Sequence, residues 1–285
     1  MLGDWTLDTV DAGYLWLDGG SMFGSVPKPL WSRTNPADER NRIRLAMRCM
    51  LLRGHGRTVL VDVGLGDKFS DKLRDIYRVE SEPTLVHSLA ALGVAPRDVT
   101  DVILTHLHFD HAGGSTVRTA TGTAPSLPRA RWYVQRRNWE NAHAPNPRER
   151  ASYMPENYDA LAEAGVLTLW DGPQRPWPGI ETIGVDGHTR GQQIVRVAGG
   201  EQVAYFVTDV IPTAAHVRIP FVMGYDVAAI ETMQEKTALL TRAVAEGAWI
   251  VLEHDPDTAL ARPEADGDDF AWRERVPATQ GAAAP

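Results

Sequence analysis

The stretch THLHFDHAGG, residues 105–114, constrains this chain more than any other segment, because it holds three histidines and an aspartate within six positions. It follows the apolar run DVIL, which has the pattern of a short buried strand. A chain that leaves a strand into a tight turn can direct His106 and His108 towards one point, and Asp110 and His111 towards a second point nearby. Neutral imidazole and carboxylate are good zinc ligands, so the pattern indicates a metal site.

The composition of the chain argues against several classes of protein and one kind of metal site. The 285 residues include 29 Lys and Arg against 37 Asp and Glu, a net charge of −8. This balance argues against binding to nucleic acid or to an anionic membrane, and no apolar run has the length of a membrane span. The start MLGDWTLDTV lacks the basic and apolar stretches of a secretory signal, so we expect a cytoplasmic protein. The single cysteine, Cys49, excludes a site built on thiolates.

The order of predicted elements indicates an α/β fold. A short strand, YLWL, precedes a long irregular loop, and strands at 43–52 and 58–63 form a hairpin. Strands then recur around short helices, and apolar residues at helical spacing predict a long helix over Val227–Val244. Strands followed by helices, twice over, suggest two sheets with helices outside. No linker divides the chain convincingly, and the ending PATQGAAAP has nothing to pack.

Three further metal-ligand candidates each follow a predicted strand. His188 lies in the turn GHTRG after IETIGV, Asp209 follows VAYFVT, and His254 follows WIVLE. The four residues of the first motif do not complete two metal sites by themselves. Because each of the three candidates sits where a strand ends, one edge of the fold could present the whole site. This coincidence is more specific than the short motif alone.

The full set of residues resembles the metallo-β-lactamase superfamily, from Asp62 in LVDVG to His254. The resemblance implies a four-layer αββα sandwich and two divalent cations, zinc first, with manganese, cobalt or iron as alternatives. Asp62 matches a family aspartate that orients a ligand. In the ligand set that the resemblance implies, one cation is held by His106, His108 and His188, the other is held by Asp110, His111 and His254, and Asp209 bridges them.

Departures from other branches point to the lactonase-like and organophosphate-hydrolase-like members. Flavodiiron proteins have glutamate where His108 stands, and one group of β-lactamases has cysteine where Asp209 stands. RNA-processing members insert a domain, whereas His254 follows Asp209 by only 45 positions. HLHFDHAGG is similar to the lactonase form. Two positions differ from that form: Pro212 replaces a substrate-binding tyrosine, and Arg190 replaces the usual proline.

The resemblance also implies a domain layout and a substrate pocket. One domain spans residues 1–262, in which residues 1–42 form an N-terminal strand and a loop over the metals, and residues 263–285 form a flexible tail. Trp31 could equally pack under its own loop, and His216 could equally be a pocket donor or a surface residue. The substrate-binding residues expected on this basis are Met22, Phe23, Phe109, His216, Phe221 and Tyr225.

The activity that the resemblance implies is hydrolysis of lactones or small esters, as in quorum quenching, with promiscuous phosphotriesterase activity. A hydroxide bridging the cations is the nucleophile, Asp209 holds the bridge, and Asp110 carries a proton to the leaving alkoxide. The alternatives are a glyoxalase II-like thioesterase, a dedicated organophosphate hydrolase, and a metal-binding or redox module that hydrolyses nothing. The expected partner is a small molecule, without nucleic acid or membrane, and the family resemblance allows a homodimer.

Overall fold

Two β-sheets dominate the computed structural model, which describes residues 2–278. The long N-terminal strands carry runs that are buried on both faces, residues 7–11 in the first strand and 45–52 in the second, as expected for a sheet that is covered on both sides. In chain order the strands are β1 Thr6–Asp18, β2 Arg42–Gly54, β3 Arg57–Val61, β4 Asp101–Ile103, β5 Thr116–Thr119, β6 Gly122–Pro125, β7 Arg131–Gln135, β8 Leu167–Trp170, β9 Ile180–Val185, β10 Gln192–Gly199, β11 Gln202–Phe206, β12 Trp249–Val251, β13 Thr258–Asp266 and β14 Asp269–Pro277.

The helices lie between these strands in the chain and mostly on the outer faces of the sheets. None of those within residues 2–278 combines the length and the apolar composition that a membrane span requires. The helices are α1 Gly19–Phe23, α2 Lys28–Trp31, α3 Asp71–Ile76, α4 Leu85–Ala91, α5 Phe109–Ala112, α6 Arg136–His143, α7 Asp159–Glu163 and α8 Ala229–Ala245.

Each large sheet has six strands. The first has the order β1-β2-β3-β4-β7-β8, and the second has the order β14-β13-β12-β11-β10-β9. Neighbours β3 and β4 are parallel, as are β11 and β12, so their carboxyl ends meet at the same edge of each sheet. The short pair β5 and β6 forms a separate hairpin directly after the histidine motif.

Apolar side chains fill three spaces between four layers. Between the sheets, Met50 and Val61 of the first sheet pack in one cluster with Phe206 of the second sheet. On the outer face of the first sheet, Leu89 of α4 joins the core. On the outer face of the second sheet, Leu240 of α8 does the same. This arrangement confirms the predicted αββα sandwich.

The two ends of the chain differ from the sequence prediction. The N-terminal strand runs over Thr6–Asp18 rather than four residues, and α1 and α2 lie within the expected irregular loop. The predicted tail from 263 is wrong as far as Pro277, because β14 pairs with β13 along its length. The aromatic side chain of Phe270 packs into the core there, which a mobile tail could not do. Residues 279–285 of that predicted tail lie outside the described residues.

Candidate metal centre

All seven predicted ligands lie together at one edge of the sandwich, and all are buried. The first four follow β4, with Asp110 and His111 in the single turn of α5. His188 follows β9, Asp209 lies in the turn after β11, and His254 follows β12. Each strand of this set therefore delivers its ligand at its carboxyl end.

The ligand atoms form two groups. In the first group, one donor atom from each member lies within 4.8 Å of the others, and His188 Nε2 is 3.2 Å from His108 Nδ1. In the second group, His254 Nε2 is 3.3 Å from His111 Nε2, and each of these nitrogens lies 3.8 Å from an oxygen of Asp110. The first group consists of His106, His108, His188 and Asp209, and the second consists of Asp110, His111 and His254.

The carboxylate of Asp209 joins the two groups. Its Oδ2 lies 3.4 Å from His106 Nε2 and 3.2 Å from His188 Nε2 in the first group. The same oxygen lies 3.0 Å from His111 Nε2, and Oδ1 lies 3.1 Å from His254 Nε2, both in the second group. A carboxylate in this position can offer one oxygen to each of two cations.

Partners on the far side of the imidazoles fix their orientation. His188 Nδ1 is 3.0 Å from Asp226 Oδ1, and His254 Nδ1 is 2.8 Å from the carbonyl oxygen of Ala46. His111 Nδ1 lies 3.1 Å from Asp62 Oδ2, as the resemblance implies for this aspartate. Such outer partners set the tautomer and raise the basicity of a ligating histidine.

A second carboxylate, Glu253, shares His111 with Asp62. Glu253 Oε1 lies 3.0 Å from His111 Nδ1, and its side chain is completely buried. Burial above all, together with the nearby Asp62 carboxylate, raises the pKa of the Glu253 carboxyl to about 7, against the lowering effect of His111. This group therefore surrounds one imidazole rather than forming a separate site of its own.

Close backbone contacts hold the motif in place. A Cβ on Gly113 would lie 2.1 Å from the carbonyl oxygen of Leu65, so only glycine allows the motif to approach that turn. Two residues near the ligands have positive φ angles: Asp62, which follows β3, has φ of 59°, and Thr208, which directly precedes Asp209, has φ of 47°. Non-glycine residues rarely adopt this left-handed conformation, and it concentrates at functional sites.

The donor set fits divalent cations. His106 Nε2 is buried and has no hydrogen-bond partner, although it points at the Asp209 carboxylate. Burial by itself would lower the pKa of His188 and His254, but neighbouring carboxylates, Asp209 above all, raise them to about 10 and about 9. The carboxylates thus attract positive charge to this point. Nitrogen and oxygen donors without sulfur suit zinc, manganese, cobalt and iron.

A cavity of about 350 Å³ opens above the two ligand groups, and its floor includes Asp110 and Asp209. This volume is within the range of small-molecule sites. Its apolar and aromatic lining residues are Leu17, Met22, Tyr77, Phe109, Met223 and Tyr225. Its polar lining residues, apart from the ligand candidates, are Ser21, Arg148, Glu149 and Ser152.

Three predicted pocket residues do not line this cavity, which corrects the prediction. The ring of Phe23 stacks between Trp31 and His216, with centroids 5.4 and 4.5 Å away, and Phe221 meets it edge-on. His216 is neither a pocket donor nor a surface residue: it is buried, and its Nε2 lies 2.8 Å from the carbonyl oxygen of Met22. The turn after β1 directs Met22 to the cavity and its neighbour Phe23 to the core.

Several residues that shape the site are not predicted from the sequence. Arg148 and Glu149 lie in an irregular segment without periodicity, and Tyr77 ends the short helix α3. Asp226 has no motif around it, whereas Glu253 is adjacent to a predicted ligand and could have been found from that position. Pro212, at the position of the lactonase tyrosine, is buried and accepts a hydrogen bond from the backbone of His254.

The fold and the site together define the class of this protein as αββα sandwiches that carry a histidine and aspartate cluster suited to cations at one edge. Within that class the assignment follows from the sequence match. Residues 46–254 match the family described as the metallo-beta-lactamase superfamily, and the chain belongs to that family.

Individual relatives fit this assignment. A structure of a probable metal-dependent hydrolase from Staphylococcus aureus has a TM-score of 0.87 at 30% identity, covering 97% of this chain and 99% of that one. A probable metallo-hydrolase of Mycobacterium tuberculosis is 28% identical over 264 residues, 79% of this chain and 80% of that protein. The N-acyl homoserine lactonase AttM of Azorhizobium caulinodans is 29% identical over 181 residues, 60% of this chain, and the match spans only 64% of the lactonase.

Proposed function

We propose that this protein is a dinuclear metal-dependent hydrolase of lactones or other small esters. The observation that carries the proposal is the position of Asp209, whose two oxygens contact histidines of both ligand groups on the floor of the cavity. The name of the lactonase relative and the mixed character of the cavity support a lactone or ester as the substrate.

The residues of the chain would divide the work of hydrolysis. His106, His108 and His188 would hold one cation and Asp110, His111 and His254 the other, with Asp209 between them. When bound, two divalent cations make hydroxide available at neutral pH and polarise a carbonyl oxygen. The apolar lining residues, Met22 and Phe109 among them, would hold the acyl part of the substrate and exclude water from it.

Asp110 would transfer the proton in this reaction. Its carboxylate faces the cavity and lies 3.8 Å from the nearest nitrogens of His111 and His254. From there Asp110 can accept a proton at a carboxylate oxygen and donate it to the leaving alkoxide. Zinc is the cation that we favour, because a site rich in neutral imidazole suits it well.

Metal removal and a substrate panel test this proposal. We expect dialysis against a chelator to abolish turnover, and zinc, cobalt or manganese to restore it. The panel comprises an N-acyl homoserine lactone, an aryl ester, a phosphotriester and a glutathione thioester, and we expect the lactone or the aryl ester to be the best substrate. Turnover by fully metal-free protein would contradict the proposal. If the thioester or the phosphotriester is hydrolysed best, lactones and small esters are not the preferred substrates. The cytoplasmic location and the homodimer stay predictions from the sequence.

A further inference from the structure

His108 differs from the other four imidazoles of the centre. Each of the others has a partner within 3.1 Å of the nitrogen that faces away from the ligand groups. In His108 the nitrogen that faces the centre is Nδ1, 3.2 Å from His188 Nε2, so the outer nitrogen is Nε2. That Nε2 is buried and has no hydrogen-bond partner. An orphaned buried donor of this kind needs an explanation.

Glu149 is the carboxylate that faces this orphaned nitrogen. Its Oε2 lies 3.8 Å from His108 Nε2, and the residue is only 4% exposed. Thr189 Oγ1 donates to Oε2 at 2.7 Å, and the side-chain amides of Asn141 and Asn146 donate to Oε1 at 2.9 and 2.8 Å. All of these partners are donors, so the carboxylate acts as an ionised acceptor that is held in one orientation.

We propose that Glu149 is a positioning residue for the metal position of the first ligand group, and that its carboxylate accepts a hydrogen bond from His108 Nε2–H when the two side chains move closer together. An imidazole that ligates a cation through Nδ1 carries its proton on Nε2, and that proton needs an acceptor inside the protein. At 3.8 Å the pair is not hydrogen-bonded, but a shift of about 1 Å would bring it to the length of a charge-assisted bond. The inference rests on the proposed function only in taking His108 as a metal ligand.

The network around Glu149 connects the cavity lining to two of the three histidines of the first group, His108 and His188. Thr189 directly follows His188, and its hydroxyl lies 2.7 Å from the hydroxyl of Tyr153. The ring of Tyr153 meets His108 edge-on, with centroids 4.7 Å apart. Glu149 itself lines the cavity. The segment that contributes Glu149 to the cavity lining would therefore also orient a ligand, through the Glu149 carboxylate and the Thr189 hydroxyl.

Zinc affinity of the Glu149→Gln variant tests the inference, because it needs no substrate. Metal-free protein would be titrated with zinc against a competing chelator, and cobalt loading would report the ligand geometry by its absorption spectrum. We expect one of the two binding steps to weaken by about 10- to 100-fold, the usual effect of losing an outer partner, while the other step stays unchanged. The cobalt spectrum should change for the same site. Glu163→Gln, an exposed carboxylate on α7, is the matched control and should bind as wild type.

A second pair of variants distinguishes a role of Glu149 in orienting His108 from a general effect on folding. Thr189→Val removes the hydroxyl that orients Glu149, whereas Thr189→Ser keeps it, so only the valine variant should lose affinity at that step. This pair decides the question if Glu149→Gln does not fold. Unchanged affinities in folded Glu149→Gln or Thr189→Val would overturn the inference. If the wild type binds two zinc ions but hydrolyses nothing in the substrate panel, the proposed function fails while the inference still stands on the affinities. A wild type that binds no zinc would overturn both.

Discussion

At the scale of single residues, buried carboxylates surround the five clustered histidines in two layers. Asp110 and Asp209 lie among the ligand atoms, and Asp62, Asp226 and Glu253 lie behind the imidazoles. Buried charges of one sign are costly unless ions of the other sign accompany them. The arrangement is therefore understandable as a cage for cations, with the outer carboxylates acting through the histidines.

The pair of His188 and Asp226 gives a prediction at this scale. Asp226 Oδ1 lies 3.0 Å from His188 Nδ1, and its Oδ2 accepts the backbone N–H of Met223. We expect Asp226→Asn to weaken metal binding at the first group by about 10- to 100-fold, since the imidazole loses its charged partner. Chelator competition with zinc measures this. The exposed Asp268→Asn is the control, and an Asp226→Asn protein with wild-type affinity would contradict the role.

At the scale of elements, one buried lysine fixes segment 216–221, which packs behind the cavity-lining residue Met22. Lys236 of α8 is 0% exposed, and its ammonium group donates to the carbonyl oxygens of His216, Arg218 and Phe221, at 3.1, 2.9 and 2.7 Å. Three donors thus meet three acceptors, which matches what an ammonium group can offer. Through this contact α8 stabilises the segment behind Phe23 and Met22.

Replacing that lysine should destabilise the fold. We expect Lys236→Met to lower the free energy of unfolding by about 3 kcal/mol, because it leaves buried carbonyl groups without donors. Urea denaturation would measure the change. Lys72→Met removes an exposed lysine from α3 and should change the stability by less than about 0.5 kcal/mol. Equal effects of the two substitutions would show that the buried hydrogen bonds contribute nothing net.

The hairpin of β13 and β14 gives a second prediction for an element. Phe270 is 9% exposed and packs in the cluster under α8, while Arg273 on the same strand is exposed. We expect Phe270→Ala to cost about 3 kcal/mol of stability, the low end for removing a buried aromatic ring, and Arg273→Ala to cost little. Thermal or urea unfolding would distinguish them. A mobile tail would tolerate both substitutions alike, and that result would contradict the hairpin.

At the scale of the whole molecule, the metal centre joins the two sheets. His106, His108, Asp110 and His111 follow β4 of the first sheet, whereas His188, Asp209 and His254 follow strands of the second. Hydrogen bonds from β2 make the same connection. The backbone N–H of Ala46 donates to the carbonyl oxygen of His254, and the buried guanidinium of Arg48 donates to the carbonyl oxygens of residues 252, 255 and 258. Cations at this position would thus hold the sandwich closed at one edge.

Metal loading should therefore raise the thermal stability. A ligand that binds only the folded protein stabilises it by about 2.7 kcal/mol for each site at a free concentration of 100 times Kd. We expect calorimetry to show a lower Tm after treatment with a chelator, and a Tm that rises with free zinc. A double variant of His106 and His254 to alanine, which removes one ligand from each sheet, should lose this dependence. An unchanged Tm across zinc concentrations in the wild type would contradict the role of the centre as a link between sheets.

The sequence pattern alone indicated an α/β fold and placed seven candidate ligands just beyond strand ends, whereas the four-layer sandwich and the grouping of those ligands came from the resemblance to a known superfamily. Strand composition marks where each strand ends, and His106, His188 and His254 each stand just beyond such an end. The tertiary structure decided which residues stand behind and above them. Glu149 and Asp226 reach their histidines from loops, and His216 turns away from the cavity to hold Met22. Those contacts join residues 38 to 194 positions apart in the sequence. They depend on how loops pack across the fold, so no local sequence pattern predicts them.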